Sequence, residues 1–160
     1  MNHREILSDK LKEKVTEHFD KVLEIGTGGG EFDKIISHNE YIKTDQDQVD
    51  VHEIPYPDNT FNCVFMSHAF EHFINPIKAL LEIRRVLKVG GKVIIVTPFY
   101  CRHHVLESDA DHLFVLTEYQ TERLLKYTDF KNIDVFTQTK YKGENIEKEQ
   151  DFNTFAIATK

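Results

Sequence analysis

A short stretch near the N-terminus, KVLEIGTGGGE at residues 21–31, has residue types and a spacing suited to binding a nucleotide. Its apolar half, Val22 to Ile25, predicts a buried strand, and the glycines that follow predict a tight turn. A helical pattern then begins at Glu31 and Phe32. Backbone N–H groups at a helix start can bind a carboxylate or phosphate, and a glycine turn lets the ligand approach the backbone closely. The stretch therefore predicts half of a nucleotide-binding βαβ unit.

The order of acid and glycines in this stretch argues against a dinucleotide site. A dinucleotide fingerprint has the form G-x-G-x-x-G, and Glu31 stands where its third glycine belongs. The spacing here places an acid first and a glycine at every second position after it, at Glu24, Gly26, Gly28 and Gly30. The pattern therefore favours a different nucleotide-containing ligand.

Asp45 is the candidate acid for binding ribose. It directly follows a second predicted strand, Tyr41 to Thr44, and lies 17 residues after Gly28. That separation is close to the offset of ~20 residues at which an acid at a strand end binds ribose hydroxyls. The alternative is a solvated aspartate in a turn, because the segment TDQDQVD contains three acids. We favour Asp45 since it follows the strand directly.

Histidines at two places in the chain are candidate general bases, because imidazole titrates near neutral pH. One directly follows a predicted buried strand, Phe61 to Ser67. Three more lie in residues 98–114, which have no periodicity and are predicted to form a loop that also carries the carboxylates Asp109 and Asp111. The alternative for each is a packed or solvated side chain. The candidates are His68, His103, His104 and His112.

Two metal-binding alternatives are present in the sequence, and we favour neither. His68, Glu71 and His72 match H-x-x-E-H, in which two histidines on one helix bind zinc beside a glutamate base. The match begins directly after a buried strand, which is an unusual setting for that helix. The second is a loop set that fits no standard spacing: Cys101, His103, His104, Asp109, Asp111 and His112. The sequence therefore predicts no metal ligand.

The elements that position these residues alternate between strand and helix, which predicts an α/β fold. An amphipathic helix lies within residues 1–20 and should cross the sheet, and a second helix should follow the glycine turn. Asn75 and Pro76 predict the start of a third helix, ending near Leu87, and a capping box at Thr117 and Gln120 predicts a fourth. Seven strands are expected, at 22–25, 41–44, 50–54, 61–67, 92–97, 132–138 and 154–159.

Length and composition indicate one globular domain over all 160 residues, with 40% hydrophobic and 29% charged residues. The net charge of −7 disfavours a nucleic acid as partner. We expect no contact with a membrane, because no apolar run has spanning length and the N-terminus lacks the apolar centre of a signal peptide. Cys63 and Cys101 give no disulfide framework, and Cys63 is expected to be a buried thiol. These features favour a cytoplasmic location.

Three ordered stretches of the chain resemble the class I methyltransferases that depend on S-adenosylmethionine (SAM), in particular the small type 11-like domains. They read VLEIGTGGGEF, VDVHEIPYPDNTFNCVFMSHAFEHF and ALLEIRRVLKVGGKVIIVTP. The resemblance covers residues 20–100 by motif and 113–159 by layout. It implies a Rossmann-like, doubly wound sheet of seven mostly parallel strands, with one antiparallel strand and helices on both faces.

The resemblance also implies a set of cofactor-binding residues. Glu24, Gly26, Thr27 and Gly28 would surround the methionine end of SAM, and Gly30 is a further cofactor-binding residue of the same loop. Asp45 and Gln46 would hold the ribose, and Asp50, or the backbone at Val51 and His52, would meet the adenine. Ser67 and His68 would line the sulfonium and the substrate entrance. One departure from the family is that the segment from Asp45 to Asp50 leaves no room for the usual helix.

The implied activity is in-line transfer of a methyl group from SAM to a small-molecule or glycan- or lipid-linked acceptor, with S-adenosylhomocysteine as product. Nucleic-acid methylation is disfavoured because Met66 to Ala69 lack the Pro-Pro-aromatic sequence that grips a flipped base. The N-terminal helix, the substrate-side loop 98–114 or a second subunit of a homodimer would complete the pocket. The alternative is a SAM-fold subunit that has lost catalysis and serves as a binding or regulatory partner.

Overall fold

The computed structural model describes residues 3–28, 30–45, 48–98, 112–138 and 153–160, except for the side chains of residues 3–6 and 8. Six strands form one sheet in these described residues. The strand order is β2-β1-β3-β4-β6-β5. The strands are β1 (Phe19–Ile25), β2 (His38–Thr44), β3 (Phe61–Ser67), β4 (Leu87–Pro98), β5 (Lys131–Gln138) and β6 (Asn153–Thr159). The helices are α1 (His3–Lys14), α2 (Pro76–Val86) and α3 (Glu118–Tyr127). Among them, no described helix is long and apolar enough to cross a membrane.

Strands β1 to β4 run parallel, and β6 is antiparallel to both β4 and β5. In register, Leu23 of β1 lies between Ile42 of β2 and Val64 of β3. The central strands are nearly continuous apolar runs, as parallel strands covered on both faces require. The predicted α/β class and the single antiparallel strand are therefore confirmed.

Helices cover both faces of this sheet. On one face, Leu7 and Leu11 of α1 and Val15 directly after it are buried against strand residues such as Phe65, which confirms the predicted crossing of the N-terminal helix. On the other face, α2 and α3 pack against the alternate side chains of the same strands, for example Val64. Each fully buried side chain of this size contributes about 1.5–3 kcal/mol of transfer free energy, so these layers fix the sheet that carries the site.

The helix starts predicted on this second face are present. The Asn75 side chain accepts a hydrogen bond from the Lys78 backbone N–H at 3.0 Å, with Pro76 as the first helical residue. At α3, the Thr117 hydroxyl accepts from the Gln120 N–H at 3.1 Å, and the Gln120 side chain accepts from the Thr117 N–H at 2.9 Å. Local capping chemistry was therefore sufficient to locate both helix starts.

The predicted strand at 50–54 is wrong, because these residues form turns and the described sheet has six strands instead of seven. Here backbone groups pair with side chains. The Asp50 carboxylate accepts from the His52 N–H at 2.8 Å, and the Arg85 guanidinium donates to the carbonyls of Ile54 and Tyr56 at 2.9 Å each. Because those backbone groups are already hydrogen-bonded to side chains, the segment cannot form the backbone hydrogen bonds that pair a strand with its neighbour.

The helix predicted after the glycine turn is also shorter than expected, and is reduced to one 3₁₀ turn, Phe32–Lys34. Strand β2 begins at His38, three residues before the predicted start at Tyr41, so too few residues remain for an α-helix. The strand predicted at 92–97 likewise begins earlier, at Leu87, directly after α2. The thiol of Cys63 is fully buried as expected, and burial raises its pKa above the ordinary value.

Candidate functional site

The predicted site residues follow the ends of three neighbouring parallel strands. Strands β2, β1 and β3 end at Thr44, Ile25 and Ser67, and these residues lie at the same edge of the sheet. The chain leaves β1 toward β2 on one side, and β3 lies on the other side, which makes this a topological switch point. Open α/β sheets bind ligands in the crevice at that position.

Asp45 holds the glycine loop in place. Its Oδ1 atom accepts hydrogen bonds from the Thr27 backbone N–H and hydroxyl, both at 2.8 Å, and from the Gly28 N–H at 3.4 Å. These bonds, the Thr27 hydroxyl first, lower the pKa of Asp45 below its ordinary value, so the residue is a carboxylate at neutral pH. Its second oxygen, Oδ2, makes no hydrogen bond to a described residue.

Two glycines with positive φ determine the backbone conformation of the loop. Gly26 has a φ of +75°, donates its N–H to the Thr44 carbonyl at 2.8 Å, and lies against Ala69, whose Cβ would be only 2.6 Å from an added Cβ. Gly28 has a φ of +45°, and an added Cβ there would meet nothing within 4 Å. A side chain is therefore excluded by packing at Gly26, whereas Gly28 faces open space.

Glu24 is a fully buried carboxylate at the end of β1. Its pKa is raised to about 7, chiefly by burial and in smaller part by the Asp33 and Asp45 charges, while the nearby Tyr41 hydroxyl and Lys43 act in the opposite direction. The Tyr41 contact falls short of standard hydrogen-bond geometry, and neither carboxylate oxygen makes a hydrogen bond of that geometry within the described part of the chain. A buried carboxylate without a hydrogen bond is costly, so the site favours a ligand that brings a cation or an N–H donor.

His68 lies directly after β3 in a backbone conformation that is rare for a side-chain-bearing residue. Its φ is +53°, and its N–H donates to the Val96 carbonyl at 2.8 Å. The ring is about one-third exposed, and its Nδ1 lies 3.5 Å from Oε1 of Glu71. A left-handed histidine held at a strand end is typical of a functional position, because the surrounding structure must offset the strain.

The residues predicted to contact adenine already make contacts within the protein. Oδ1 of Asp50 accepts from the His52 N–H and approaches His52 Nδ1, both at 2.8 Å, and these contacts lower the pKa of Asp50. His52 Nε2 in turn accepts from the Asn75 N–H at 3.2 Å, which assigns the ring proton to Nδ1. The Val51 side chain is buried in the core. Only backbone groups and the outer face of Asp50 remain for a ligand, so these contacts stay predictions.

The remaining site predictions lie partly outside the described residues. These are Gln46, His103 and His104, together with Cys101, Asp109 and Asp111 of the loop metal alternative. Gly30 donates its N–H to the Thr27 carbonyl at 2.7 Å and closes the loop, and Ser67 is half-buried at the end of β3. The H-x-x-E-H alternative requires His68 and His72 to lie on one helix. The structure contradicts this, because His68 precedes a short 3₁₀ turn, Phe70–His72.

The fold adds to this region a polar group that the sequence interpretation did not name, Tyr41, and gives Glu71 a setting that the sequence did not predict. Tyr41 of β2 shares a sheet face with Glu24, because it pairs in register with Val22. Glu71 is buried beside His68 and lies near His112, whose Nε2 is 3.9 Å from Glu71 Oε1. The motif that contains Glu71 was the available signal, whereas its proximity to His112 depends on the fold.

Comparison with known proteins supports the resemblance. Residues 36–95 match a family model described as a methyltransferase domain. A segment of 49 residues is 43% identical to the ubiquinone/menaquinone biosynthesis C-methyltransferase UbiE of Blochmanniella pennsylvanica, covering 31% of this chain and 19% of that protein. A SAM-dependent methyltransferase from Archaeoglobus fulgidus superposes with a TM-score of 0.72 at 19% identity, covering 98% of this chain and 94% of that one.

Residues 36–95 thus resemble a methyltransferase domain, and the chain has the fold of SAM-dependent methyltransferases. The same fold occurs in phosphoethanolamine N-methyltransferase 2 of Haemonchus contortus, solved with phosphomonomethylethanolamine and S-adenosylhomocysteine (TM-score 0.70, 16% identity, 96% of this chain and 52% of that one). Methyl transfer is the chemistry named for each of these similar proteins. The match spans about a fifth of the UbiE relative, so that protein's substrate does not transfer with it.

Proposed function

We propose that this chain is an active methyltransferase that uses SAM and methylates a small-molecule or glycan- or lipid-linked acceptor. The observation that carries the proposal is the pairing of a glycine loop fixed by Asp45 with the buried carboxylate of Glu24, which makes no hydrogen bond to a described residue. A subunit that had lost cofactor binding would have no need to retain this costly carboxylate beside an open glycine turn.

The residues fit SAM in three respects. The ammonium group of its methionine part would neutralise Glu24, whose burial otherwise penalises the charged form. The Oδ2 atom of Asp45 would accept from a ribose hydroxyl while Oδ1 holds Thr27. Gly28 leaves open space where a larger residue would obstruct the ligand. Gln46, Asp50 and Val51 are proposed to complete the ribose and adenine contacts.

When bound, SAM supplies a methyl group already activated on a sulfonium. The protein must then mainly align donor and acceptor, which can account for ~7–11 kcal/mol of the barrier. If the acceptor is a hydroxyl or a protonated amine, His68 would take its proton, a contribution of typically ~10²–10⁴-fold. His68 suits that role because its position directly after β3 is fixed by the hydrogen bond to Val96. Ser67 is proposed to line the same entrance.

The acceptor class is supported by the relatives and by charge. The UbiE relative is a C-methyltransferase of ubiquinone and menaquinone biosynthesis, and the Haemonchus contortus enzyme was solved with a phosphorylated amine. A net charge of −7 disfavours binding to a long polyanion. We further propose that the 160 residues act as one domain, with residues 98–114 or a second copy of the chain completing the acceptor pocket.

The test is a transfer assay with methyl-labelled SAM and three separate acceptor pools: hydroxylated aromatics, phosphorylated amines and glycolipids. We expect label in the product of one pool, with S-adenosylhomocysteine formed in equal amount. His68→Asn should slow the transfer, whereas the exposed His18→Asn should not. Protein that binds SAM but labels none of the three pools would instead favour the alternative of an inactive SAM-fold subunit.

A further inference from the structure

Three metal-ligating side chains from two distant segments meet beside His68. Glu71 and His72 belong to the 3₁₀ turn that follows β3, and His112 lies shortly before α3. One ligand atom from each of the three lies within 4.8 Å of the others. The segments are fixed to one another because the Leu113 N–H donates to the Glu71 carbonyl at 3.0 Å. The cluster is therefore built into the fold.

Glu71 is the observation that points to a ligand. The residue is 1% exposed, yet neither carboxylate oxygen makes a hydrogen bond to a described residue. Among the described residues, Nδ1 of His68 lies 3.5 Å from Oε1, and Nε2 of His112 lies 3.9 Å from it. Leaving a buried carboxylate without a hydrogen bond is costly, and a bound ion would remove that cost.

We propose that Glu71, His72 and His112 bind a divalent transition-metal ion, with Zn²⁺ as the first candidate. Two histidines and one carboxylate form a known ligand set for zinc and for other first-row metals, and they leave a coordination position open. Bonds of about 2.0–2.2 Å place the ligands of a tetrahedral ion about 3.4 Å apart. The most widely separated ligand atoms would need to approach by up to about 1.4 Å from the 4.8 Å limit to reach that spacing, which side-chain rotation can supply.

This site differs from both metal alternatives of the sequence. The H-x-x-E-H interpretation uses His68 and His72 on one helix with glutamate as base, whereas here the glutamate is a ligand and His68 lies outside the site. The loop interpretation places His112 with residues near it in sequence, whereas here its partner Glu71 is 41 residues away. Only a fold that brings residues 70–72 against residue 112 creates this combination.

The position of the site gives the ion a use. Glu71 lies 3.5 Å from the ring of His68, so an ion bound by Glu71 would lie near the proposed acceptor entrance, and its open coordination position could face that entrance. An oxygen of the acceptor could occupy it and be held there for methylation. That use rests on the proposed function, whereas the binding of the ion does not.

The experiment uses the full chain, freed of metal with a chelator and then titrated with Zn²⁺ in competition with a chromophoric chelator. One tightly bound equivalent is expected, and Co²⁺ substitution should give the visible absorption of a low-coordinate site. Glu71→Gln and His72→Asn should each weaken Zn²⁺ binding at least about 100-fold. His18→Asn is the matched control, because this exposed histidine contacts Ser37 and Asn39 on another part of the surface.

Two further measurements distinguish loss of metal binding from loss of folding and from failure of the proposed function. Circular dichroism identifies a variant that fails to fold, and His112→Asn then replaces it. SAM binding is measured on the same metal-free protein, where we expect it to persist. If the protein binds no Zn²⁺ tightly, the proposed metal site is contradicted. It is also contradicted if Glu71→Gln and His72→Asn both leave the Zn²⁺ affinity unchanged, because the ion would then bind elsewhere.

Discussion

Asp45 and Thr27 are joined by two hydrogen bonds, since one carboxylate oxygen accepts both the Thr27 N–H and its hydroxyl at 2.8 Å. The contact links the end of β2 to the loop after β1. An acid at this position therefore shapes the glycine turn with one oxygen, and the other is the oxygen that we propose for a ligand hydroxyl. This explains why the offset between glycines and acid carries structural information.

Removing the Asp45 carboxylate should weaken the binding of SAM. Asp45→Ala loses both the loop contact and the proposed ribose contact, and we expect at least a tenfold loss of affinity in calorimetric titration. Thr27→Val is the matched control, because it removes only the hydroxyl bond, which is worth about 1 kcal/mol, or roughly fivefold. Equal affinity of Asp45→Ala and the unmodified protein would remove Asp45 from the cofactor site.

Gly26 should tolerate no side chain. An alanine there would combine the strain of φ +75° with a Cβ 2.6 Å from that of Ala69, and should lower the free energy of unfolding by about 3 kcal/mol. Gly90→Ala, at φ +78° with no atom within 4 Å of an added Cβ, should cost only about 1 kcal/mol. Urea denaturation measures both values.

Adding Ala69→Gly to Gly26→Ala tests the clash itself. The second substitution removes the obstructing methyl group, so the double variant should regain part of the stability lost in Gly26→Ala. A double variant less stable than either single variant would show that the contact between these residues is not the cause.

Glu24 should make the stability of the cofactor-free protein depend on pH. Its pKa rises from an ordinary 4.5 to about 7 on folding, so the folded state favours the protonated form. The stabilisation is complete below pH 4.5 and is lost as pH rises through 7. Compared with Glu24→Gln, the unmodified protein should lose on the order of 2 kcal/mol between pH 4.5 and pH 8, less than the full shift implies because solvent screens part of it.

The measurement is urea unfolding of both proteins at several pH values in that range. Parallel stability curves would contradict the raised pKa. The same variant should also bind SAM more weakly at pH 8, because a neutral amide cannot neutralise an ammonium group. Glu24→Gln is thus expected to stabilise the free protein while impairing the site.

His68 should affect turnover more than cofactor binding. His68→Asn removes the imidazole but suits the left-handed backbone, in which asparagine is favoured among non-glycine residues. We expect SAM affinity within about twofold of the unmodified protein and a fall in kcat of ~10²–10⁴-fold with an acceptor that needs deprotonation. Unchanged kcat with such an acceptor would exclude His68 as the base.

The fold was predictable where the evidence was local. Asn75 with Pro76 and Thr117 with Gln120 located helix starts because a cap needs only neighbouring residues. The strand expected at 50–54 failed because Arg85, far along the chain, occupies the backbone carbonyl of Ile54. The helix after the glycine turn failed because β2 begins early, at His38, and leaves no length for it.

The candidate site was likewise predictable only where the evidence was local in sequence. Spacing placed Glu24, the glycines and Asp45 near one another at the ends of β1 and β2, since strand ends and a turn fix their order; their role in binding stays a prediction. Spacing could not show that Asp45 binds Thr27, or that Glu71 lies beside His112, because both contacts join separate segments. Burial of Glu24 without a hydrogen bond also depends on the packed sheet, although its apolar neighbours in sequence were consistent with it.

The central claim is that this glycine loop and its acids bind SAM, and calorimetric titration of the full chain tests it most directly. SAM and S-adenosylhomocysteine should both bind with micromolar affinity, NAD should not bind, and Asp45→Ala should weaken both adenosyl ligands. Folded protein that binds neither adenosyl ligand would contradict the account, and so would protein that binds NAD equally well.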